Sequence, residues 1–398
     1  MPSLETPVST SSARTLTYAA YASFVPIGVA TVLLGPLLPA LSARWSLNDA
    51  QAGVFFPVQY TAATCGVALS GWVVASRGYR FAIKLGLLLV TLGLAFLLAG
   101  SKWSATLCIL IYGCGLGLAV PAANLMVAAA NPERRSAKLN LLNFFWSFGA
   151  VACPFLLSAA EKVQRIPSFL LCVSAFSLVI AIGVALMPGT MVEPAATVEK
   201  GPILPLIRAH MAPFLIFVIL FFVYVGVENS FGLWIATYVK SLGTLTPATA
   251  VATPSFFYAS LMIGRWLAPA LLRLIDDVRL VQAGLLLACV GMLGLMLSHH
   301  LPAIAASACA AGFGLASVYP ITISLLSRQF ASAQIGSAMF FVSNIGGGLL
   351  PWIVGLLSTR FGSLRVGLYV PLLGCLTMYA FYVWNWRPSA SAPREPRE

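Results

Sequence analysis

Ten of the eleven acidic residues lie in the terminal tails or between apolar runs, and the eleventh, Glu228, does not. It sits about eighteen residues into an apolar run that begins near Met211, flanked by Phe221, Phe222, Tyr224, Phe231 and Trp234. A charge near the centre of a bilayer costs at least ~2.5–3.5 kcal/mol, so a carboxylate there answers to a cavity or to a partner. It is either a hydrogen-bonded or protonated structural group, or a carboxylate that meets a solute or a coupling cation. Arg265, about fourteen residues into the following run, is the one cation inside an apolar segment. If the two meet, each offsets the other's desolvation. A Glu228 that takes up a proton or coordinates sodium, with Arg265 engaging it in one state, is an ion-coupling pair.

The other polar side chains inside apolar runs are the inventory of a solute site, because wholly apolar helices cannot replace a solute's water shell. Asn140, Asn143 and Ser147 stand at i, i+3 and i+7 and share one helix face. Amides donate and accept, which suits the hydroxyls of a sugar. Asn143 and Ser147 are candidates for solute binding, while Asn140, nearer the helix end, and Asn124 suit ties between helices. Gln59 and Asn344 fall near mid-depth in their runs, and Asn229 adjoins Glu228. Among the aromatics, Tyr258, Tyr319 and above all Trp234 are candidates to stack on an apolar solute face, although most membrane aromatics pack or anchor.

Several chemistries are absent from the pattern. No glycine-rich loop ends in Lys-Ser/Thr to cradle a nucleotide phosphate, which argues against an ATP-driven pump. The eight cysteines form no CxxC pair and the three histidines no zinc spacing, so no metal, disulfide frame or cofactor is expected. No paired carboxylates or Ser–His–Asp set argue for an enzyme. The net charge of +12 is explained by membrane topology rather than by nucleic acid.

These residues have to be held by helices. The chain of 398 residues is 60% hydrophobic and 9% charged, far below the ~25% charged of soluble domains. Runs of about twenty apolar residues recur, each long enough to cross ~30 Å of hydrocarbon. We read twelve spans, at 16–42, 50–75, 82–100, 104–130, 139–160, 167–188, 211–238, 251–275, 279–299, 301–327, 334–359 and 364–386. With the N-terminus inside, fifteen Lys and Arg fall on the inner side and seven on the outer, Arg265 being the remaining one. The positive-inside rule then places both termini in the cytoplasm of a multi-pass inner-membrane protein.

The longest polar interruption, 189–210, lies at the centre of the chain, and the halves on either side match. An offset of 197 carries Gly115-Leu-Gly-Leu-Ala119 onto Gly312-Phe-Gly-Leu-Ala316, Gly149 onto Gly346 and Pro154 onto Pro351. An offset of 198 carries Gly86-Leu-Leu-Leu89 onto Gly284-Leu-Leu-Leu287 and Gly66 onto Gly264. The expected domains are therefore an N-terminal tail (1–15), a six-helix bundle (16–188), a linker (189–210), a second six-helix bundle (211–386) and a C-terminal tail (387–398). Duplicated bundles of this kind hold solute near the midplane and rock around it.

On this plan the sequence resembles the major facilitator superfamily. Its signature loop after the second helix is recognisable in Gly71 and Arg77-Gly78-Tyr79-Arg80, a packing or gating element, although Ala75 or Ser76 stands where the family has an acid. Within the superfamily the chain is similar to the fucose/galactose/hexose symporters and the sodium–glucose carriers. The residues behind this are Gly115-Leu-Gly117 with Ala122-Ala-Asn124, Leu139-Asn140-Leu-Leu-Asn143 with Gly149, Gly264-Arg265, and the run from Tyr224 through Glu228 to Trp234. The fucose carriers have acids in helices one and four; here helix one has none and Val120-Pro121 replaces the other, so coupling through those positions does not carry over. The resemblance implies an all-α major facilitator fold and a monomeric secondary carrier. It would move a small polar solute, a monosaccharide first, by proton or sodium symport. Proton-coupled efflux of amphipathic compounds and a non-transporting solute sensor are the other readings.

Overall fold

In hydrocarbon the backbone has no water to bond, so an apolar chain of this kind satisfies its amides within helices. A computed structural model describes residues 10–187, 207–330 and 333–386, and its regular elements are all helical. The tail before residue 10, most of the central linker and the tail after residue 386 lie outside the described residues. Among the described residues, ten helical stretches are long and apolar enough to cross a bilayer. One of them contains two crossings, because Phe55–Phe96 is broken at Gly78, and Pro247–Ala252 with Pro254–Leu271 forms another, giving twelve.

Five spans are broken near their middle or ends, and the prolines explain where. A proline has no N–H to give the carbonyl four residues earlier and crowds it. Thr10–Val32 and Leu34–Trp45 part beside Val32, four before Pro36, and Asp49–Gly53 ends four before Pro57. Leu301–Leu315 gives way to Val318–Gln329 around Ala316, four before Pro320. Leu364–Gly367 ends four before Pro371, and the eighth span is interrupted at Thr253, next to Pro254. Prolines such as Pro121, Pro154 and Pro351 stay inside continuous helices.

The expected loop between the second and third spans is a single-residue turn. Gly78 adopts φ 80°, ψ 168° and the helix resumes at once. Only glycine visits that region without a Cβ penalty. In place of an acidic partner, Arg80 donates to the carbonyl oxygens of Val184 (3.1 Å) and Met187 at the C-terminal end of the sixth span, where exposed carbonyls favour a cation. Arg77 lies over the Phe81 ring, 5.0 Å from its centroid.

The two halves repeat one packing plan. The first span lies on the fifth as the seventh lies on the eleventh, and the fourth packs on the second and third as the tenth packs on the eighth and ninth. A Cβ on Gly149 would stand 2.1 Å from the Val25 carbonyl oxygen, and one on Gly346 2.0 Å from that of Phe222. Both pairs differ by 197 residues, so the duplication survives as the same backbone contact. Where halves meet, they meet toward the end away from the termini. There the Ala50 N–H donates to Thr359 Oγ1 (2.8 Å), Ser158 Oγ to the Ala248 carbonyl (2.6 Å), Ser255 Oγ to the Val151 carbonyl (2.9 Å), and the Ser358 hydroxyl to the Asp49 carboxylate. Gly35 packs on Leu233, and Phe56 lies edge-on to Trp234. Toward the terminus-bearing end, Asn140, Asn143 and Phe340 of the fifth and eleventh spans are exposed.

A methyl group at position 78 would be strained in that turn. Gly78→Ala is expected to lower stability by ~1–3 kcal/mol, read as a lower Tm of the detergent-purified protein relative to Gly71→Ala, whose Cβ meets nothing within 4 Å.

Candidate functional site

The seventh span, Met211–Ser241, is apolar all round, so its few polar groups have to find partners on neighbouring spans. Glu228 finds Arg265. Its Oε2 accepts a hydrogen bond from Arg265 Nη2 at 3.2 Å, with the two side chains 14% and 30% exposed. Beside Arg265, Gly264 lets the tenth span pack close, because a Cβ there would stand 2.5 Å from the Ala316 Cβ. The pair leaves part of Arg265 unused: Nε is buried and, among the described residues, without an acceptor.

Tyrosines surround the pair. Tyr224, one helical turn before Glu228, donates its hydroxyl to the Leu315 carbonyl (3.1 Å) and touches both Glu228 and Arg265. Tyr319 stacks obliquely on Tyr224 with centroids 5.3 Å apart, and its hydroxyl reaches Ser343 on the eleventh span. Tyr60 comes from the other half of the molecule, and its hydroxyl meets the Asn229 side chain, adjacent to Glu228 in sequence. Asn229 also donates weakly to the Gly347 carbonyl (3.5 Å). Gly347 has to be small, since a Cβ would stand 2.8 Å from Asn229 Nδ2 and 2.9 Å from the Tyr60 ring. Tyr258 is buried, with its hydroxyl set against Gly232.

The structure thus gathers Glu228, Asn229, Arg265, Tyr258 and Tyr319 of the expected set, and adds Tyr60, Tyr224 and Ser343. Tyr224 was legible from its i−4 spacing to Glu228. Tyr60 was not, because nothing local to residue 60 announces a neighbour 169 positions away. Asn344, half-buried, follows Ser343 on the eleventh span.

Other expected residues are engaged elsewhere. Trp234, expected to stack on solute, is fully buried, with Nε1–H donating to the Pro351 carbonyl (2.8 Å) and its ring against Phe56, Gly53 and Gly355. Its ring therefore forms part of the closed end. Gln59 is also buried, donating to the Thr31 carbonyl (3.2 Å) and accepting from the Tyr112 hydroxyl (3.4 Å), so its amide joins the first, second and fourth spans. In the fifth span, Asn143 Nδ2 donates to the Leu139 carbonyl and Ser147 Oγ to the Asn143 carbonyl, each at 3.0 Å. Both turn back on their own helix, and Asn143 is exposed. Asn124, expected to tie helices, bonds the Val120 carbonyl of its own helix (2.8 Å), and Asn140 is exposed.

The family model described as Major Facilitator Superfamily matches residues 20–343. A glucose/galactose transporter of Brucella abortus is 24% identical over 385 residues, covering 89% of this chain and 90% of that protein. A sodium-dependent glucose transporter of Mus musculus is 21% identical over 396 residues, covering 88% and 92%. Among solved structures, the E. coli fucose:proton symporter superimposes with a TM-score of 0.61 at 21% identity, covering 92% of this chain and 97% of that one.

The ion pair makes a test of its own. Arg265→Met leaves a carboxylate without its partner and is expected to cost ~1–3 kcal/mol. Adding Glu228→Gln is expected to recover most of that loss, a non-additivity read from Tm values of the two single variants and the double variant.

Proposed function

Because the chain belongs to the major facilitator superfamily, we propose that it is a secondary carrier of a neutral monosaccharide, working by alternating access and driven by cation symport. The Glu228–Arg265 pair, set among tyrosine hydroxyls in the seventh and eighth spans, is the observation that carries this reading. Relatives named as glucose/galactose and sodium-dependent glucose transporters supply the substrate class. The positive-inside count supports cytoplasmic termini, and the domains divide at the linker between residues 188 and 211.

The chemistry follows from the pair, without the fifth-span Asn143, whose amide bonds its own helix. A proton or sodium ion at Glu228 neutralises the carboxylate and loosens its hold on Arg265. The guanidinium, with Nε already lacking an acceptor, then turns its donors to solute hydroxyls. Tyr319, Ser343, Asn344 and Asn229 offer further donors and acceptors on the same side. Cation and solute thereby bind in mutual support, which is the requirement for symport. Tyr60 extends the link across the halves, since its contact with Asn229 over Gly347 holds only while they are closed at that level.

Counterflow of labelled glucose, galactose and fucose in proteoliposomes tests the reading, because exchange needs no ion gradient. Wild type and Glu228→Gln are both expected to exchange sugar, and only wild type to accumulate it against a gradient. Gradient-driven accumulation by Glu228→Gln would remove the coupling role. Absence of exchange in folded wild type would remove these sugars and bring amphipathic efflux forward.

Tyr60→Phe removes the hydroxyl that faces Asn229 across the halves, a polar contact worth about 1 kcal/mol. Exchange should slow roughly fivefold with little change in the half-saturating sugar concentration; an unchanged rate would sever Tyr60 from the transition between states.

A further inference from the structure

Away from the interface between halves, a cavity of about 210 Å³ lies between the eighth, ninth and tenth spans. Leu271 and Leu280 wall it at the terminus-bearing end, Phe313 of the tenth span forms its floor, and Gly264 and Gly284 keep its sides shallow. Gly284 leaves no room for a larger residue, since its Cβ would stand 2.4 Å from the Gly314 carbonyl oxygen. The cavity opens on the flank of the bundle, where Ala283 and Leu287 of its lining are exposed. Ser317 supplies the one hydroxyl, too little to hold water, which needs two to four polar partners. On a membrane-facing flank, hydrocarbon fills such a space.

The turn that closes this cavity carries charge. Two residues beyond Leu271 stands Arg273, and one before Leu280 stands Arg279, both exposed. Arg328, at the end of the tenth span, is 3.0 Å from Asp277, and Arg279 reaches Asp276 only at 3.7 Å. Among the described residues Arg273 has no carboxylate within 4.0 Å, so three guanidiniums face two carboxylates and the excess lies at Arg273. Leu274 beside it is 79% exposed, an apolar group that holds the turn at the level where head groups meet hydrocarbon.

We propose that this groove is a binding site for an anionic phospholipid, with one acyl chain between the eighth and ninth spans and the phosphate on Arg273 and Arg279. The apolar lining recognises the chain, and the uncompensated guanidinium selects the charge of the head group. Glu228, Arg265 and the tyrosines around them are not among its lining residues, so the site stands apart from the proposed solute and coupling-ion site, with only the backbone at Gly264 shared between them.

Native mass spectrometry of the full chain, offered equal phosphatidylglycerol and phosphatidylcholine with matched acyl chains, tests the assignment. Wild type should retain phosphatidylglycerol in preference. Arg273→Gln should reduce that preference about fivefold, the effect of one interfacial cation, while still retaining lipid. Ala283→Trp, at the exposed rim where the fold tolerates bulk, should lower retention of both lipids. Arg360→Gln, at the opposite end of the bundle, serves as the control and should behave as wild type. Equal retention of the two lipids by wild type, an unaltered preference in Arg273→Gln, or full retention in Ala283→Trp would each overturn the proposal.

Discussion

A carboxylate inside an apolar helix has to be answered, and much of the site follows from how Glu228 is answered. Its partner comes from the next span, so Met211–Ser241 and the segment ending at Leu271 are held in one rotational setting by a bond of 3.2 Å. Gly264 exists in that setting to bring the tenth span close, and Tyr224 completes the cluster by bonding the tenth span at Leu315. A buried ion pair is a poor way to gain stability, since apolar residues of like volume often serve as well or better. On the proposed reading it serves instead as a switchable element, in which a single proton or cation changes what the guanidinium can bind.

The cross-half contact extends that switch. Asn229 follows Glu228 on the same helix and meets Tyr60 of the other half over a glycine that leaves room for both. Any change at Glu228 that moves the seventh span therefore reaches the second span without an intervening chain of residues. Two rigid bundles that rock need a shared joint, and on the proposed reading two neutral side chains and Gly347 form it.

Much of the fold was legible because the bilayer imposes few solutions. Apolar run length gave the spans, and matched glycines at an offset of 197 located a backbone contact that recurs at Gly149 and Gly346. The positions where helices part were not legible, because Pro121, Pro154 and Pro351 stand inside continuous helices while Pro36 and Pro320 follow breaks. The ion pair was legible as two charges stranded in consecutive runs. What sequence withheld was side-chain commitment. Trp234 and Gln59 have the right type and depth for a solute site, yet the Pro351 and Thr31 carbonyls claim them. Those acceptors lie 117 and 28 residues away, and no local pattern reports them. Asn124, Asn143 and Ser147 bond backwards along their own helices, an option open to short polar side chains in any helix.

Among the described residues, the hydrogen bonds across the seam at the end away from the termini join hydroxyls, amides and carbonyls, with the Asp49 carboxylate their one charged partner, while Glu161 and Lys240 face each other across it without a contact within 4.0 Å. Each neutral bond broken there can be replaced by one to water, at a net cost of about 0.5–1.5 kcal/mol. A gate of this composition resembles a zip fastener rather than a bolt: it parts tooth by tooth, and no single ionic lock sets the barrier. The balance between its two positions is then shallow enough for the binding energy of a small solute to tip it.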